Sequence, residues 1–217
     1  MSELARMSAS EDDLLNSFPL FCGSDRNVAM SVFEFVHGFL TKRTWSAERI
    51  RLHYGRRTVV DILEDGDVLA VAPCPDRTLV AAAMLIRNGI EPVVVYHERR
   101  ALGFGPSTAH LAMELTLDGL PFMADFGSRE SRFMRGTYEP NSDIEATVQI
   151  VRFSTAALEL DLGAVSPSLL FGALASEHID TESYLAYLIR ESAKFPVGHI
   201  ISERMAFDAK FSIQRDL

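Results

Sequence analysis

The sequence predicts a single α+β domain, in which a buried helix packs on an antiparallel β-sheet behind a helical N-terminal part. Three observations predict this: an apolar helical stripe in the first 42 residues, eight consecutive apolar residues from Leu79 to Ile86, and two alternating strands joined by Asp118-Gly119. With 217 residues, 47% of them hydrophobic, the chain can bury one core. The expected parts are a helical segment and first strand (residues 1–66), a core with the candidate site (67–140), and strands and a helix completing the same domain (141–217).

The N-terminal part predicts a helix followed by a strand. Residues 25–42 place five apolar residues on one helical face, which favours a core-facing amphipathic helix: Val28, Val32, Phe35, Val36 and Phe39. Residues 56–63 are typical of a short strand that ends at the turn sequence Glu-Asp-Gly-Asp.

The long apolar run predicts a central buried helix. We expect it to extend from about Pro75 to Asn88 and to end at Gly89 as a C-terminal cap. Residues 93–97 then predict a strand. Residues 98–109 predict a loop, because they contain two glycines and a proline.

The strands around Asp118-Gly119 predict a hairpin of defined register. A two-residue turn pairs Leu117 with Leu120 and so fixes the pairing along both strands. His110 and Asp125 then become diagonal neighbours on one face, within reach of each other. The opposite face is wholly apolar and must cover a core: Leu111, Met113, Leu115, Leu117, Leu120, Phe122, Ala124 and Phe126.

The rest of the chain predicts further strands and one helix. We expect strands at residues 147–153 and 156–162, a helix at residues 181–192 capped by Asp180, and a last strand pair within residues 199–213. The alternation in these strands is weaker than in the hairpin.

Composition argues against several classes of protein. No apolar run approaches the roughly 18–20 residues of a membrane span, and the N-terminus lacks the order of a secretion signal, so we expect a soluble, cytoplasmic protein. The 21 basic and 30 acidic residues give a net charge of −9, which opposes binding to nucleic acid or an anionic membrane. The two cysteines, Cys22 and Cys74, are far apart, so neither a disulfide framework nor a metal site is expected.

Cys74 is the candidate nucleophile. It stands between Pro73 and Pro75 at the predicted helix start, where the helix dipole and a nearby imidazolium favour the reactive thiolate. His110 is the candidate base and later acid, and Asp125 the residue that holds the imidazole tautomer. The backbone N–H of Cys74 is a candidate oxyanion donor. The alternative is a buried structural thiol, since cysteine is among the most buried residue types.

These residues resemble the transglutaminase-like cysteine superfamily, whose members carry a papain-like Cys-His-Asp triad. Its signature is a cysteine that opens a buried helix, an Asp two positions on, a Gly-Ile after the helix, and a His and an Asp on adjacent strands. The matching residues are Cys74, Asp76, Gly89-Ile90, His110 and Asp125, over about residues 68–128. The resemblance implies a transglutaminase-like, cysteine-proteinase-like fold.

Within the superfamily, the arylamine N-acetyltransferase branch is the most similar. Residues 109–128, AHLAMELTLDGLPFMADFGS, look like the His-strand and Asp-strand of those enzymes, and residues 178–213 resemble their helix and following strands. Two features depart from the branch: Val71-Ala72-Pro73 replaces its Arg-Gly-Gly, and the C-terminal portion is shorter. The resemblance therefore implies thioester chemistry more firmly than acetyl-CoA as the donor.

The resemblance implies an acyl thioester on Cys74 and transfer of that acyl group to an amine, as in an acyltransferase or amide synthase. No tightly bound cofactor is expected. The partners are a small-molecule or peptide acyl donor, which includes an acyl-CoA or an acyl carrier protein, and an amine acceptor. Three alternatives stay open: a cysteine protease or amidase that uses water, a transglutaminase that crosslinks proteins through glutamine, and a binding module on a catalytically retired scaffold.

Three residues are candidate substrate contacts. Glu114 shares the strand face of His110 and can orient an amine, with a cross-strand or solvent role as the alternative. Phe104 lies in a Gly-Phe-Gly sequence of the predicted loop, a candidate lid. Arg129 belongs to a cluster with Arg132 and Arg135 that can contact a coenzyme phosphate or an acidic carrier, with a solvated surface as the alternative.

Other titratable residues are interpreted as structural. Cys22 lacks companion residues and is predicted to be a core thiol. His97 ends a strand beside charged residues and is predicted to be a solvated histidine. Asp76 is predicted to complement the dipole at the start of the buried helix.

Overall fold

A computed structural model of the chain describes residues 18–101, 108–126, 134–137, 145–154 and 181–201. Its helices are α1 Asp25–Phe39, α2 Ala47–His53, α3 Val59–Asp65, α4 Cys74–Arg87 and α5 Thr181–Ser192. Its strands are β1 Thr41–Arg43, β2 Asp67–Leu69, β3 Val93–Ala101, β4 Thr108–Leu117, β5 Leu120–Ala124, β6 Met134–Arg135 and β7 Glu145–Ser154. The chain is therefore α+β, as predicted.

A five-stranded antiparallel sheet and helix α4 organise the core. The strand order is β6-β5-β4-β3-β7, while β1 and β2 form a separate parallel pair. Helix α4 packs against β4, α1 and α3. All its residues from Cys74 to Leu85 are buried, which confirms the predicted central helix. Within the described ranges, no helix has the combination of length and apolarity needed to cross a bilayer.

Helix α4 ends in the predicted glycine cap. The N–H of Gly89 donates to the Ile86 carbonyl at 2.9 Å, and the N–H of Ile90 donates to the Leu85 carbonyl at 2.9 Å. This is the Schellman arrangement, and the φ of +79° at Gly89 is one that favours glycine.

Helix α1 is shorter than predicted. It ends at Phe39, so residues 41–43 are free to form β1 beside β2. Val28, Val32 and Val36 are buried as predicted, but Phe39 is 44% exposed. The residue that fills the core at this end is Leu40, which is fully buried.

The predicted strand at residues 56–63 is wrong, because most of this segment belongs to α3. The Thr58 hydroxyl accepts a hydrogen bond from the Asp61 N–H, and the Asp61 carboxylate accepts one from the Thr58 N–H at 2.8 Å. This capping box starts the helix, and Gly66 ends it in the left-handed conformation. The helix caps outweigh the strand preference of the β-branched residues between them.

The predicted loop at residues 98–109 is too long, because strands occupy both of its ends. β3 continues to Ala101 and β4 begins at Thr108. β3 pairs with β4 on one side and with β7 on the other, and this double pairing extends it.

The β4–β5 hairpin has the predicted register. Leu117 pairs with Leu120, and Met113 pairs with Ala124. Asp118 and Gly119 have φ values of +51° and +77°, as a two-residue hairpin turn requires. The predicted apolar face is buried except for Leu120, which borders the turn.

β7 and α5 confirm the strand and helix predicted in the C-terminal part. The predicted strand at residues 156–162 and the cap Asp180 lie outside the described residues. Of the predicted last strand pair, the structure describes residues 199–201. Ile200 forms an isolated antiparallel bridge with Arg43.

Candidate active site

Cys74 is the first residue of α4, and it is 7% exposed. Pro73 precedes it in a helical backbone conformation and Pro75 follows it. The first turn of a helix leaves its N–H groups without carbonyl acceptors, and a proline has no N–H to leave in this state. Cys74 keeps its N–H, which has no carbonyl one turn earlier in the helix to bond. The helix start therefore places a thiol and a backbone donor side by side.

His110 and Asp125 meet as the hairpin register predicts. Nε2 of His110 lies 2.8 Å from Oδ2 of Asp125, and the two side chains are 16% and 14% exposed. A carboxylate only accepts, so Nε2–H is the donor. The Cys74 side chain lies near the same imidazole and helps to raise its pKa. Since Nε2 is engaged, Nδ1 is the nitrogen that can exchange a proton with the thiol.

His110 is expected to be protonated at neutral pH. Burial disfavours the imidazolium and lowers its pKa, but the charge of Asp125, the hydrogen bond to Asp125 and the interactions with Cys74 outweigh burial and raise the pKa to about 10. An imidazolium beside a thiol at a helix N-terminus favours the thiolate. The arrangement is therefore suited to a thiolate–imidazolium pair.

The raised pKa of His110 predicts a pH-dependent stability. Histidine titrates near 6.5 when unfolded and His110 near 10 when folded, so its stabilisation is fully present below pH 6.5 and is lost as the pH rises to 10. The slope is at most about 1.4 kcal/mol per pH unit. Urea unfolding of Cys74→Ala and of Cys74→Ala/His110→Gln across this range should show the difference between them shrinking. Parallel stability curves would contradict the assignment.

A buried ion pair holds the first turn of α4. Nη2 of Arg57 lies 2.5 Å from Oδ2 of Asp76, and both side chains are 1% exposed. Arg57 also donates to an Asp65 carboxylate oxygen at 2.9 Å and to the Asp67 carbonyl at 3.0 Å. Its guanidinium carbon lies 4.5 Å from the centre of the Trp45 ring. Arg57 thereby joins α3, β2 and the start of α4.

Asp76 does more than complement a helix dipole. Burial raises the pKa of its carboxyl above the ordinary value, and Arg57 opposes that rise. Because Asp76 is two residues from Cys74, the Arg57–Asp76 pair fixes the backbone that carries the thiol.

Two buried tyrosines lie in a cluster that reaches the residues just before Cys74. The hydroxyl oxygens of Tyr54 and Tyr184 are 3.4 Å apart. Tyr54 is the residue that ends α2, and Tyr184 is in the first turn of α5. Both belong to a buried cluster that includes Ala72, two residues before Cys74. Sequence reasoning did not select them.

The candidate substrate contact Glu114 has a basic partner on β7. Its carboxylate accepts hydrogen bonds from Nε and Nη2 of Arg152 at 2.9 to 3.1 Å. The pair spans β3, which lies between β4 and β7. Glu114 is thus a cross-strand residue in this structure, and its contact with a substrate amine stays a prediction.

The remaining substrate and cofactor predictions depend largely on residues outside the described part. Phe104, Arg129 and Arg132 lie there, whereas Arg135 is exposed on β6. Among the described residues, no group of three or more His, Cys, Asp or Glu side chains is arranged to hold a metal ion.

Two interpretations of single residues were wrong. His97 is buried at 2% exposure, because β3 is flanked by β4 and β7, and it pairs directly with His110. Cys22 is exposed, because it lies in the segment before α1, where Phe18 is the residue that enters the core.

The residues missed by sequence reasoning carried little local signal. Arg57 stands beside Arg56 in a stretch that resembles a solvated charge run. Tyr54 and Tyr184 are 130 residues apart, so no spacing rule links them. The capping box of α3 was the available signal near Arg57, since it marks residues 58–61 as a helix start.

Comparison with models of known protein families finds no match to this chain, and comparison with curated proteins finds no significant match.

Proposed function

We propose that this chain is a cysteine-dependent acyltransferase with a transglutaminase-like fold, which forms an acyl thioester on Cys74 and passes the acyl group to an amine. The observation that carries the proposal is the placement of the Cys74 thiol, at the start of a buried helix, beside His110, which is hydrogen-bonded to Asp125. Such an arrangement activates a thiol as a nucleophile.

In the first half-reaction, the Cys74 thiolate attacks the carbonyl carbon of the acyl donor. A C–S bond forms, and the carbonyl electron pair moves onto oxygen, where the Cys74 N–H can stabilise it. The electron pair then returns, the bond to the leaving group breaks, and that group takes the proton of the His110 imidazolium. The product is a thioester with a neutral His110.

In the second half-reaction, an amine attacks the thioester carbonyl. The C–N bond forms, His110 takes the amine proton, and the C–S bond breaks to return the thiolate. Asp125 holds the imidazole with Nε2–H toward its carboxylate throughout, so that Nδ1 stays on the thiol side. The same first half-reaction with water as acceptor gives hydrolysis, so the acceptor has to be tested directly.

The test is intact-mass spectrometry after brief incubation with acetyl-CoA, longer acyl-CoAs and activated acyl esters. The chain has two cysteines, exposed Cys22 and buried Cys74, and each supplies a control for the other. The wild type and Cys22→Ala should each gain one acyl group, and Cys74→Ala should gain none. Amine addition should then remove the adduct as an amide.

Two results would count against the proposal. An adduct that survives Cys74→Ala would place the acylation elsewhere. Loss of the adduct as free acid at the same rate with and without amines would reassign the chain as a hydrolase.

A further inference from the structure

The Tyr54–Tyr184 pair lies in an otherwise largely apolar environment. The tyrosines are 7% and 8% exposed, and the buried residues clustered around them are Trp45, Ile50, Leu69, Ala72 and Leu188. Hydroxyls in such surroundings need hydrogen-bonding partners, since desolvation without one is costly. Their contact of 3.4 Å uses one of the two hydroxyl protons, so the other can be donated to a third group.

Electrostatics link both tyrosines to Cys74. Burial raises the pKa of both hydroxyls, and the charge of Cys74 raises each further. Both therefore keep their protons and remain donors at neutral pH. Either hydroxyl can be the donor in their mutual hydrogen bond. When Tyr54 donates to Tyr184, the proton of Tyr184 is the one that can be donated to a third group.

We propose that Tyr184 is the second oxyanion donor of this site, donating its hydroxyl to the carbonyl oxygen of the acyl group attached to Cys74, and that Tyr54 positions Tyr184. This role rests on the proposed acylation of Cys74. The helix start supplies one donor, the Cys74 N–H, whereas two are usual for a tetrahedral intermediate. Proline at position 75 removes the neighbouring N–H, so a side chain is the natural source of the second donor.

Tyr184 comes from α5, far along the chain from the helix and hairpin that hold the three triad residues. It stacks on Tyr187 of the same helix, with ring centres 6.3 Å apart. Tyr187 packs against the cluster but is only partly buried, so it offers a matched control for removal of a tyrosine hydroxyl.

The experiment compares two reactions of the same thiol in the wild type, Tyr184→Phe, Tyr54→Phe and Tyr187→Phe. Acylation by an activated ester builds negative charge on a carbonyl oxygen, whereas alkylation by iodoacetamide displaces iodide and builds none there. Tyr184→Phe should slow acylation about 100-fold, the usual effect of losing one oxyanion donor, and leave alkylation unchanged. Tyr54→Phe should slow acylation less, and Tyr187→Phe should leave both rates at the wild-type value.

The outcomes separate this role from the proposed function. If both reactions slow together, or if acylation keeps its wild-type rate in Tyr184→Phe, Tyr184 is not an oxyanion donor, although acylation of Cys74 stands. If the wild type is not acylated by any donor, the proposed function fails and this role fails with it. The Phe variants retain the ring and its packing, and circular dichroism establishes that each is folded.

Discussion

On the proposed chemistry, replacing Asp125 with alanine is expected to slow acylation of Cys74 by about 1,000-fold or more, the order of effect seen when a triad loses the group that orients its histidine. The physical reason lies in the 2.8 Å hydrogen bond between Asp125 and Nε2 of His110. Without it, the imidazole loses its fixed tautomer and the charge that keeps it protonated. Single-turnover acylation followed by intact mass measures the rate.

Asp125→Asn is the matched variant, because it keeps an acceptor oxygen and removes the charge. An asparagine holds the histidine in some cysteine-protease triads, so much of the rate should return. Because the charge of Asp125 raises the pKa of His110, the alkaline limb of the asparagine variant should move to lower pH than the wild-type limb near 10. Equal rates for Asp125→Ala and wild type would remove Asp125 from the site.

Replacing Arg57 with methionine is expected to lower the free energy of unfolding by about 3–5 kcal/mol, the usual cost of leaving one partner of a buried ion pair alone. Asp76 is 1% exposed and would lose the cation that offsets the cost of burying its carboxyl group, and the contact of Arg57 with Trp45 would also be lost. Urea unfolding at neutral pH measures the change.

Two further variants distinguish the buried pair from a general loss of charge. Arg49→Met removes a guanidinium that also lies over Trp45, at 4.4 Å, and that pairs with the buried carboxylate of Asp67. Arg49 is 33% exposed, and Arg57 and Arg43 stay at 3.7 Å and 3.9 Å from Asp67, so the loss should be about 1 kcal/mol or less. Arg57→Met/Asp76→Leu removes both charges and should recover most of the stability, since an apolar pair can replace a buried ion pair. A double variant no more stable than Arg57→Met would show that Arg57 acts mainly through its other contacts.

The sequence was sufficient for the elements whose local signals agree. At α4, the apolar run, the prolines at its start and Gly89 at its end all indicate one helix. At the hairpin, Asp118-Gly119 selects the turn, and the alternation of apolar residues independently selects the same register. Residues 56–63 failed because two local signals conflict there: β-branched composition favours a strand, whereas the capping box favours a helix, and only the second also agrees with packing against α4.

The residues of the candidate site likewise fall into those that local sequence signals predict and those that they do not. Cys74, His110 and Asp125 followed from one helix start and one turn, each readable over a short stretch. The burial of His97 depends on β7 completing the other side of β3, which nothing near residue 97 indicates. Tertiary contacts determine the places of Arg57, Tyr54 and Tyr184 in the site. Their neighbours in the sequence indicate only solvated charge around Arg57 and ordinary core around the two tyrosines.

The sequence separation between the contacting residues sets the order in which the site assembles. His110 and Asp125 are 15 residues apart within one hairpin, so their contact closes a short loop. Tyr54 and Tyr184 are 130 residues apart, and their contact has to await the docking of α5. During synthesis Cys74 emerges before every one of these partners except Tyr54. On the proposed chemistry, the thiol gains its base only after the hairpin forms and its full surroundings only after α5 docks, so acylation reaches its full rate only after α5 has docked.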